Sequence, residues 1–131
     1  PWVIKNNTEV IMKKIILYVL FSGVANFAWA NCNNASDGWK IRECLNAESK
    51  VVEGRLTQTY RTVLATYNGE PQHKQLIIQA QREWVRFKEA DCKAQAYLFQ
   101  GGSSYGIAYL ACINEHAKQR ENTLRKEFLG R

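Results

Sequence analysis

Residues 92–112 read CKAQAYLFQGGSSYGIAYLAC, with a cysteine at each end and two glycines in the middle. Cys92 lies eight residues before Gln100, and Cys112 lies eight residues after Ser104. Helices on either side of such a turn rise by about 1.5 Å per residue, so both cysteines would lie at the same distance from it. Facing helices with axes about 8–10 Å apart can bring inner Cα atoms within disulfide range. The stretch therefore predicts a helical hairpin closed by a Cys92–Cys112 bridge.

Residues 12–30 carry the three parts of a secretory signal. They begin with the basic Met12-Lys13-Lys14, continue with an apolar run too short to span a bilayer and end with the small-x-small Ala28-Trp29-Ala30. A lipoprotein would have a small residue before the modified cysteine, where this chain has Asn31. We therefore expect a signal peptide at 12–30, cleaved after Ala30, and an upstream segment at 1–11 that is not part of the mature protein.

The mature residues 31–131 are enough for a single domain, located in the periplasm or secreted, with no membrane span after cleavage. The whole chain has 18 Lys+Arg and 12 Asp+Glu, a formal net charge of +6. Acidic and basic residues are interspersed throughout, whereas a nucleic-acid-binding protein would show a denser patch of one sign. We therefore expect no nucleic acid as a partner.

The remaining cysteines, Cys32 and Cys44, are twelve residues apart. Four cysteines in an exported chain indicate two disulfides, for which three pairings are possible. If the helical hairpin joins Cys92 to Cys112, then Cys32 and Cys44 remain to tie the N-terminal tail to the first helix. Two such bridges would help a domain of this size, whose core is limited.

Three helical segments account for nearly all of the mature chain. The first is predicted from Ser36-Asp37 to Tyr67, before Asn68-Gly69; the second begins at Pro71, and the third near Ser104-Tyr105. Period-two alternation is absent, which argues against strands. The predicted fold is all-α, an antiparallel three-helix hairpin or bundle stapled by two disulfides.

Apolar residues recur every three or four positions and predict one buried face for each helix. In the first helix this face has Ile41, Leu45, Val52, Leu56, Tyr60, Val63, Leu64 and Tyr67. In the second it has Leu76, Ile77, Ala80, Trp84, Phe87, Asp91, Ala94 and Leu98. In the third it has Tyr105, Ala108, Tyr109, Cys112, Ile113, Ala117, Leu124 and Phe128.

The sequence shows no catalytic apparatus, and we do not expect an enzyme. Trp84 is interpreted as a core aromatic residue, and Asp91 as a structural carboxylate that pairs with Arg120 or another base. His73 and His116 have no candidate ligand beside them, and the cysteine spacings are not those of a zinc site. No metal ion or other cofactor is therefore expected.

The segment from Gly101 to Tyr105 is the candidate binding site. Gly101 and Gly102 allow a sharp turn and close approach of the backbone to a partner. Ser103 and Ser104 can cap the third helix, whose first amides favour anions, and Tyr105 follows them. The alternative is that these residues form an ordinary helix–helix turn.

A set of short motifs in a fixed order resembles the LprI-type lysozyme-inhibitor domain family of small exported bacterial proteins. The motifs are Glu43-Cys44-Leu45-Asn46-Ala47-Glu48, Gln81-Arg82-Glu83-Trp84, Phe87-Lys88-Glu89-Ala90-Asp91-Cys92, Gly101-Gly102-Ser103, Tyr109-Leu110-Ala111-Cys112 and Arg120. They extend over nearly all of residues 31–131. The resemblance implies a helical, disulfide-stapled, non-enzymatic domain that inhibits lysozyme or another cell-wall muramidase by binding it.

Two further functions compete with inhibition. A periplasmic structural or adaptor bundle would bind another envelope protein through a helix face. A small enzyme would need an acid, base or nucleophile set, which the sequence does not show.

Overall fold

The computed structural model describes residues 32, 35 and 37–130, so the predicted upstream segment 1–11 and signal peptide 12–30 lie outside the described residues. Helix α1 comprises Gly38–Thr66, α2 Pro71–Ala96 and α3 Ser104–Leu124. A 3-10 turn, Tyr97–Phe99, follows α2, and a π-helical turn, Arg125–Leu129, continues α3. No strand occurs in this part of the chain. The predicted all-α class is confirmed.

Consecutive helices run antiparallel, and α3 packs against both of the others. Along α1 and α3, contacts advance in the same direction, from Leu45 with Asn114 to Tyr67 with Phe128, so these two helices are parallel. Between α2 and α3 they advance in opposite directions, as the Cys92–Cys112 bridge and the Gln81–Arg120 hydrogen bond show. The architecture is therefore an up-down-up three-helix bundle.

Both predicted disulfides are confirmed. Cys92 and Cys112 join α2 to α3 with their Cα atoms 5.5 Å apart. Cys32 and Cys44 join the segment before α1 to its second turn, with Cα atoms 5.7 Å apart. The register argument that placed Cys92 opposite Cys112 therefore holds in the structure.

The helix boundaries agree with the sequence signals to within two residues. Pro71 occupies the first turn of α2, where its missing amide hydrogen costs no helical hydrogen bond. Asp37 takes the N-cap position of α1, but its side chain makes no capping hydrogen bond and instead lies 3.4 Å from Lys40 Nζ. The amide of Tyr67 bonds to Val63 O and ends α1.

The central core joins all three helices. Partly buried aromatic residues, among them Trp84 and Phe128, pack around it. Its buried members are Val52, Leu56, Val63, Ile77, Ala117 and Leu124. Predicted core positions on α1 and α3 supply five of these six side chains, so the helical periodicity identified the buried faces of these two helices.

The predicted face of α2 is wrong in most of its positions. Leu76 and Phe87 are 60% and 59% exposed, and Leu98 is 85% exposed. Ile77 is buried as predicted, and Trp84 and Asp91 are partly buried; the other buried residues, Cys92 and Ala96, were not in the predicted face. The bridge from Cys92 to α3 sets the rotation of α2 about its axis, and that rotation turns the larger apolar side chains outward.

A buried asparagine, which the sequence analysis did not single out, links α1 to α3. The Asn114 side-chain amide donates to Leu45 O and to a carboxylate oxygen of Glu48, each at 3.0 Å. Glu48 also lies 2.7 Å from Lys118 Nζ. Burial acts to raise the pKa of Glu48, but the hydrogen bonds from Lys118 and Asn114 outweigh it, so the pKa lies below its usual value.

This lowered pKa predicts a loss of stability in acid. The folded state favours ionised Glu48, so its contribution is present above the unfolded pKa and is lost as the pH falls through the folded value. We expect Glu48→Gln to flatten the decline in unfolding free energy between about pH 6 and about pH 3, measured by urea titration. Glu53→Gln, at an exposed position of the same helix, is the matched control. An acid decline as steep in Glu48→Gln as in wild type would contradict this role.

Candidate functional site

The turn between α2 and α3 depends on Gly101. Its φ of +86° lies in the left-handed region, which side-chain-bearing residues seldom adopt. The amide of Gln100 bonds to Tyr97 O, and that of Gly102 to Phe99 O. These bonds close a compact turn whose residues, from Gln100 to Ser104, all lie exposed.

Three large apolar side chains are exposed immediately before this turn. Tyr97 is 65% exposed, Leu98 85% and Phe99 48%. Isolated exposed apolar residues are ordinary, but three consecutive large ones at the end of a bundle form a patch of the kind that marks interaction sites. We call Tyr97, Leu98 and Phe99 the apolar tip. The sequence analysis missed it, although three consecutive large apolar residues cannot all face one side of a helix.

Buried residues and a disulfide hold the helix end that carries the apolar tip. Ala96, which directly precedes it, is completely buried, and so is Cys92 one turn earlier. The Cys92–Cys112 bridge holds both sides of the hairpin below the turn. A short loop held by a packed and covalently closed scaffold loses less conformational freedom on binding than a free loop does.

An open groove of about 730 Å³ adjoins the turn. Ser103 and Ile107 line one side, and residues from the beginning of α1 line the other: Gly38, Trp39, Arg42, Glu43, Asn46, Ala47 and Lys50. Trp39 is largely exposed. The Arg42 guanidinium lies where a Cβ of Gly106 would be, so a glycine at 106 permits this contact between α1 and α3. The groove thus combines an aromatic ring, one side-chain amide, one carboxylate and two cationic side chains.

The structure does not bring all five predicted binding residues to one surface. Gly101, Gly102 and Ser104 are exposed in the turn, and Ser103 lines the groove. Tyr105 is partly buried, and its ring stacks parallel to that of Tyr109 with centroids 6.4 Å apart.

The predicted serine cap of α3 is not observed. Ser103 occupies the N-cap position, but its side chain makes no capping hydrogen bond. Its φ of −64° and ψ of −23° are helical, not the extended values that direct an N-cap side chain at the first amides. The Ser103 hydroxyl is therefore not committed to the helix and can contact a partner in the groove.

The residues predicted to be structural form two separate clusters. Asp91 lies 2.8 Å from His116 Nε2 and accepts a hydrogen bond from Gln95, so its base is His116 and not Arg120. Arg120 donates to Gln81 Oε1 at 2.8 Å, and its guanidinium carbon lies 6.0 Å from the centre of the Trp84 ring. Burial lowers the pKa of Arg120, with a smaller opposing effect of Tyr60.

Within residues 37–130, no helix is long and apolar enough to cross a membrane. The two disulfides are consistent with a periplasmic or extracellular location.

Comparison with known proteins agrees with this architecture. A Rhizobium meliloti (strain 1021) protein described as uncharacterized is 20% identical over 107 residues, covering 73% of this chain and 77% of its own length. No solved structure matches the chain. The family model described as Lysozyme inhibitor LprI matches residues 31–124, which include both disulfides and all but the end of the bundle. A family of inhibitors is consistent with a protein that acts by binding and not by catalysis. The chain belongs to the LprI lysozyme inhibitor family.

Proposed function

We propose that this protein is exported to the periplasm or secreted, where it inhibits lysozyme or another cell-wall muramidase by binding it. The contact surface in this proposal is the turn end of the bundle: the apolar tip, Gly101–Tyr105 and the adjoining groove. The exposure of Tyr97, Leu98 and Phe99 on a disulfide-closed hairpin is the observation that carries it. The family supplies the class of partner.

The chemistry of this surface suits a glycosidase cleft. Lysozyme-type enzymes hold two carboxyl groups in a groove that binds sugar rings. Leu98 and Phe99 can fill apolar sugar subsites, while backbone amides of the turn and the Ser103 hydroxyl can donate to the carboxyl groups. Arg42 and Lys50 would form a polar rim around this apolar centre, the arrangement found at binding hot spots.

The net charge of the protein bears on which class of muramidase it can attract. Residues 31–131 have 15 Lys+Arg and 11 Asp+Glu, a formal net charge of +4, so the exported protein gains no long-range attraction toward a strongly basic enzyme. Many animal lysozymes are basic, so we expect the preferred target to be a bacterial or phage-type muramidase with a neutral or acidic surface.

The test uses oxidised residues 31–131 and a panel of muramidases that includes a basic animal-type lysozyme. Inhibition is measured as slower clearing of a cell-wall suspension, and affinity by calorimetry. We expect Leu98→Ala combined with Phe99→Ala to weaken binding by at least about 30-fold, since two hot-spot side chains are removed. Thermal stability should change little, because Leu98 is 85% exposed and Phe99 about half exposed. Ser103→Ala with Tyr105→Ala tests the other side of the turn.

The matched control is Leu76→Ala combined with Phe87→Ala. These side chains are also exposed and apolar, but they lie within α2, at least ten residues before the apolar tip. The control should bind muramidase as tightly as wild type. A panel in which no muramidase is bound, or a tip variant that binds as well as wild type, would contradict the proposal.

The exposed face of α2 also favours a second candidate function. Leu76 and Phe87, eleven residues apart, are both exposed on the outer side of this helix. An adaptor that binds another envelope protein would use such a face. In that case the Leu76/Phe87 variant, and not the tip variant, would lose its partner when envelope extract is passed over the immobilised domain.

A further inference from the structure

The Cys92–Cys112 disulfide has an imidazole beside it. Each of three described residues offers one potential ligand atom: Cys92, Cys112 and His116. These three atoms lie within 4.8 Å of one another. The helix register accounts for this: Cys112 faces Cys92 across the hairpin, and His116 follows one turn later on the same side of α3. Cys92 is completely buried, while Cys112 and His116 are partly buried. The group is thus sheltered but accessible from the surface of α3.

The imidazole is held in place by its neighbours. The Asp91 carboxylate lies 2.8 Å from His116 Nε2, and the Phe87 ring packs edge-on against the imidazole with centroids 5.6 Å apart. A carboxylate that bonds one ring nitrogen fixes the orientation of a histidine, as it does for metal-bound histidines. The structure therefore holds a positioned nitrogen ligand next to two sulfur atoms.

We propose that reduction of the Cys92–Cys112 bridge converts this group into a binding site for a thiolate-preferring divalent cation, Zn²⁺ being the natural candidate. Cys92, Cys112 and His116 supply three ligands, and water completes a tetrahedral site. Asp91 positions the imidazole. The proposal concerns the bridge below the turn, and metal binding there does not depend on inhibition of a muramidase.

The chemistry requires a dithiol reductant from the surroundings. Its thiolate attacks one sulfur, the Cys92–Cys112 bond breaks, and the reductant leaves as a disulfide after giving up two electrons and two protons. The protein then holds two thiols. The cation binds the two thiolates and releases both protons to solvent.

The positions of Cys92 and Cys112 permit both the disulfide and the cation-bound state. Two Zn–S bonds of about 2.3 Å in a tetrahedral arrangement place the sulfur atoms about 3.8 Å apart. Side-chain rotation can give that separation to cysteines whose Cα atoms lie 5.5 Å apart. Because disulfide sulfurs carry no negative charge and bind metal poorly, the bridge and the cation exclude each other. The oxidised protein should bind no cation here, in agreement with the sequence expectation.

The test is a cobalt titration, in which Co²⁺ stands in for spectroscopically silent Zn²⁺. Residues 31–131 carrying Cys32→Ser and Cys44→Ser are reduced with a phosphine, which offers no competing thiol, and desalted without oxygen. We expect one Co²⁺ per chain, with the ligand-field absorption of four-coordinate cobalt and a thiolate-to-cobalt charge-transfer band. Zn²⁺ should abolish both bands. The oxidised sample should show neither.

His116→Ala should lower the affinity for Co²⁺ by more than about tenfold, and Asp91→Asn by less. His73→Ala, at the other end of the bundle, is the control and should bind as the parent does. Circular dichroism follows the helical content of each reduced sample. Absence of the cobalt bands in the reduced parent, folded or unfolded, or equal affinity in His116→Ala and the parent, would overturn the proposal.

Discussion

Replacing Leu124 by Ala should lower the free energy of unfolding by about 3 kcal/mol. Leu124 is completely buried near the end of α3 and belongs to the cluster that joins all three helices. Truncation removes the transfer free energy of the side chain and leaves a cavity that packed helices fill only in part. A substitution at an exposed position usually changes the free energy of unfolding far less.

The measurement is urea-induced unfolding followed by circular dichroism. Leu98→Ala is the matched control, because the same chemical change is made at a side chain that is 85% exposed. Its effect should stay within about 0.5 kcal/mol. If Leu124→Ala were equally mild, the central cluster would not be the principal source of stability, and the disulfides would have to supply more of it.

The sequence was sufficient to predict α1 and α3 because their patterns are unambiguous. In α1, Val52, Leu56 and Val63 recur at intervals of four and seven, which only a helix places on one face. Asn68-Gly69 and Pro71 then mark where one helix ends and the next begins. The cysteine spacing around the turn added the hairpin register. Each of these signals is local, and none depends on how the helices pack.

The face of α2 could not be predicted in the same way. This helix has two apolar rows, and the row with the larger side chains, which contains Leu76 and Phe87, is the exposed one. The inner row includes polar residues such as Gln81, which bonds to Arg120. Hydrophobic periodicity identifies apolar rows but does not indicate which row faces a partner helix. The position of Cys92 does indicate it, because a disulfide to α3 requires the Cys92 side chain to point toward α3.

Candidate site residues were predicted less well than the fold, for a related reason. The glycine turn was found because Gly101 and Gly102 are visible in sequence. The groove was missed because Trp39 and Arg42 lie some sixty residues away from Ser103 along the chain. Such contacts between distant segments become visible only when the packing of the helices is known. His116 beside Cys92 was missed although the sequence offers a signal: His116 follows Cys112 by four residues, one helical turn, and Cys112 was predicted to face Cys92.

Replacing both Cys92 and Cys112 by Ala should lower the free energy of unfolding by about 3 kcal/mol, the loop-entropy value expected for a bridge across 20 residues. Alanine leaves no unpaired polar group at these buried positions. The same urea titration measures this loss of unfolding free energy. A domain with ordinary stability of about 5–15 kcal/mol would remain folded without the bridge, so its effect on the turn can be measured separately.

The loss of this bridge should also loosen the surface proposed to bind muramidase. Cys92 and Cys112 hold the two sides of the hairpin, so amide hydrogen exchange at Tyr97–Tyr105 should accelerate without them. Cys32→Ala with Cys44→Ala is the control, since that bridge closes a loop of twelve residues at the start of α1 and does not join the two sides of the hairpin. It should cost a comparable free energy and leave exchange at Tyr97–Tyr105 unchanged. Equal exchange in the two double variants would mean that packing of α2 on α3, and not the covalent bond, keeps the turn rigid.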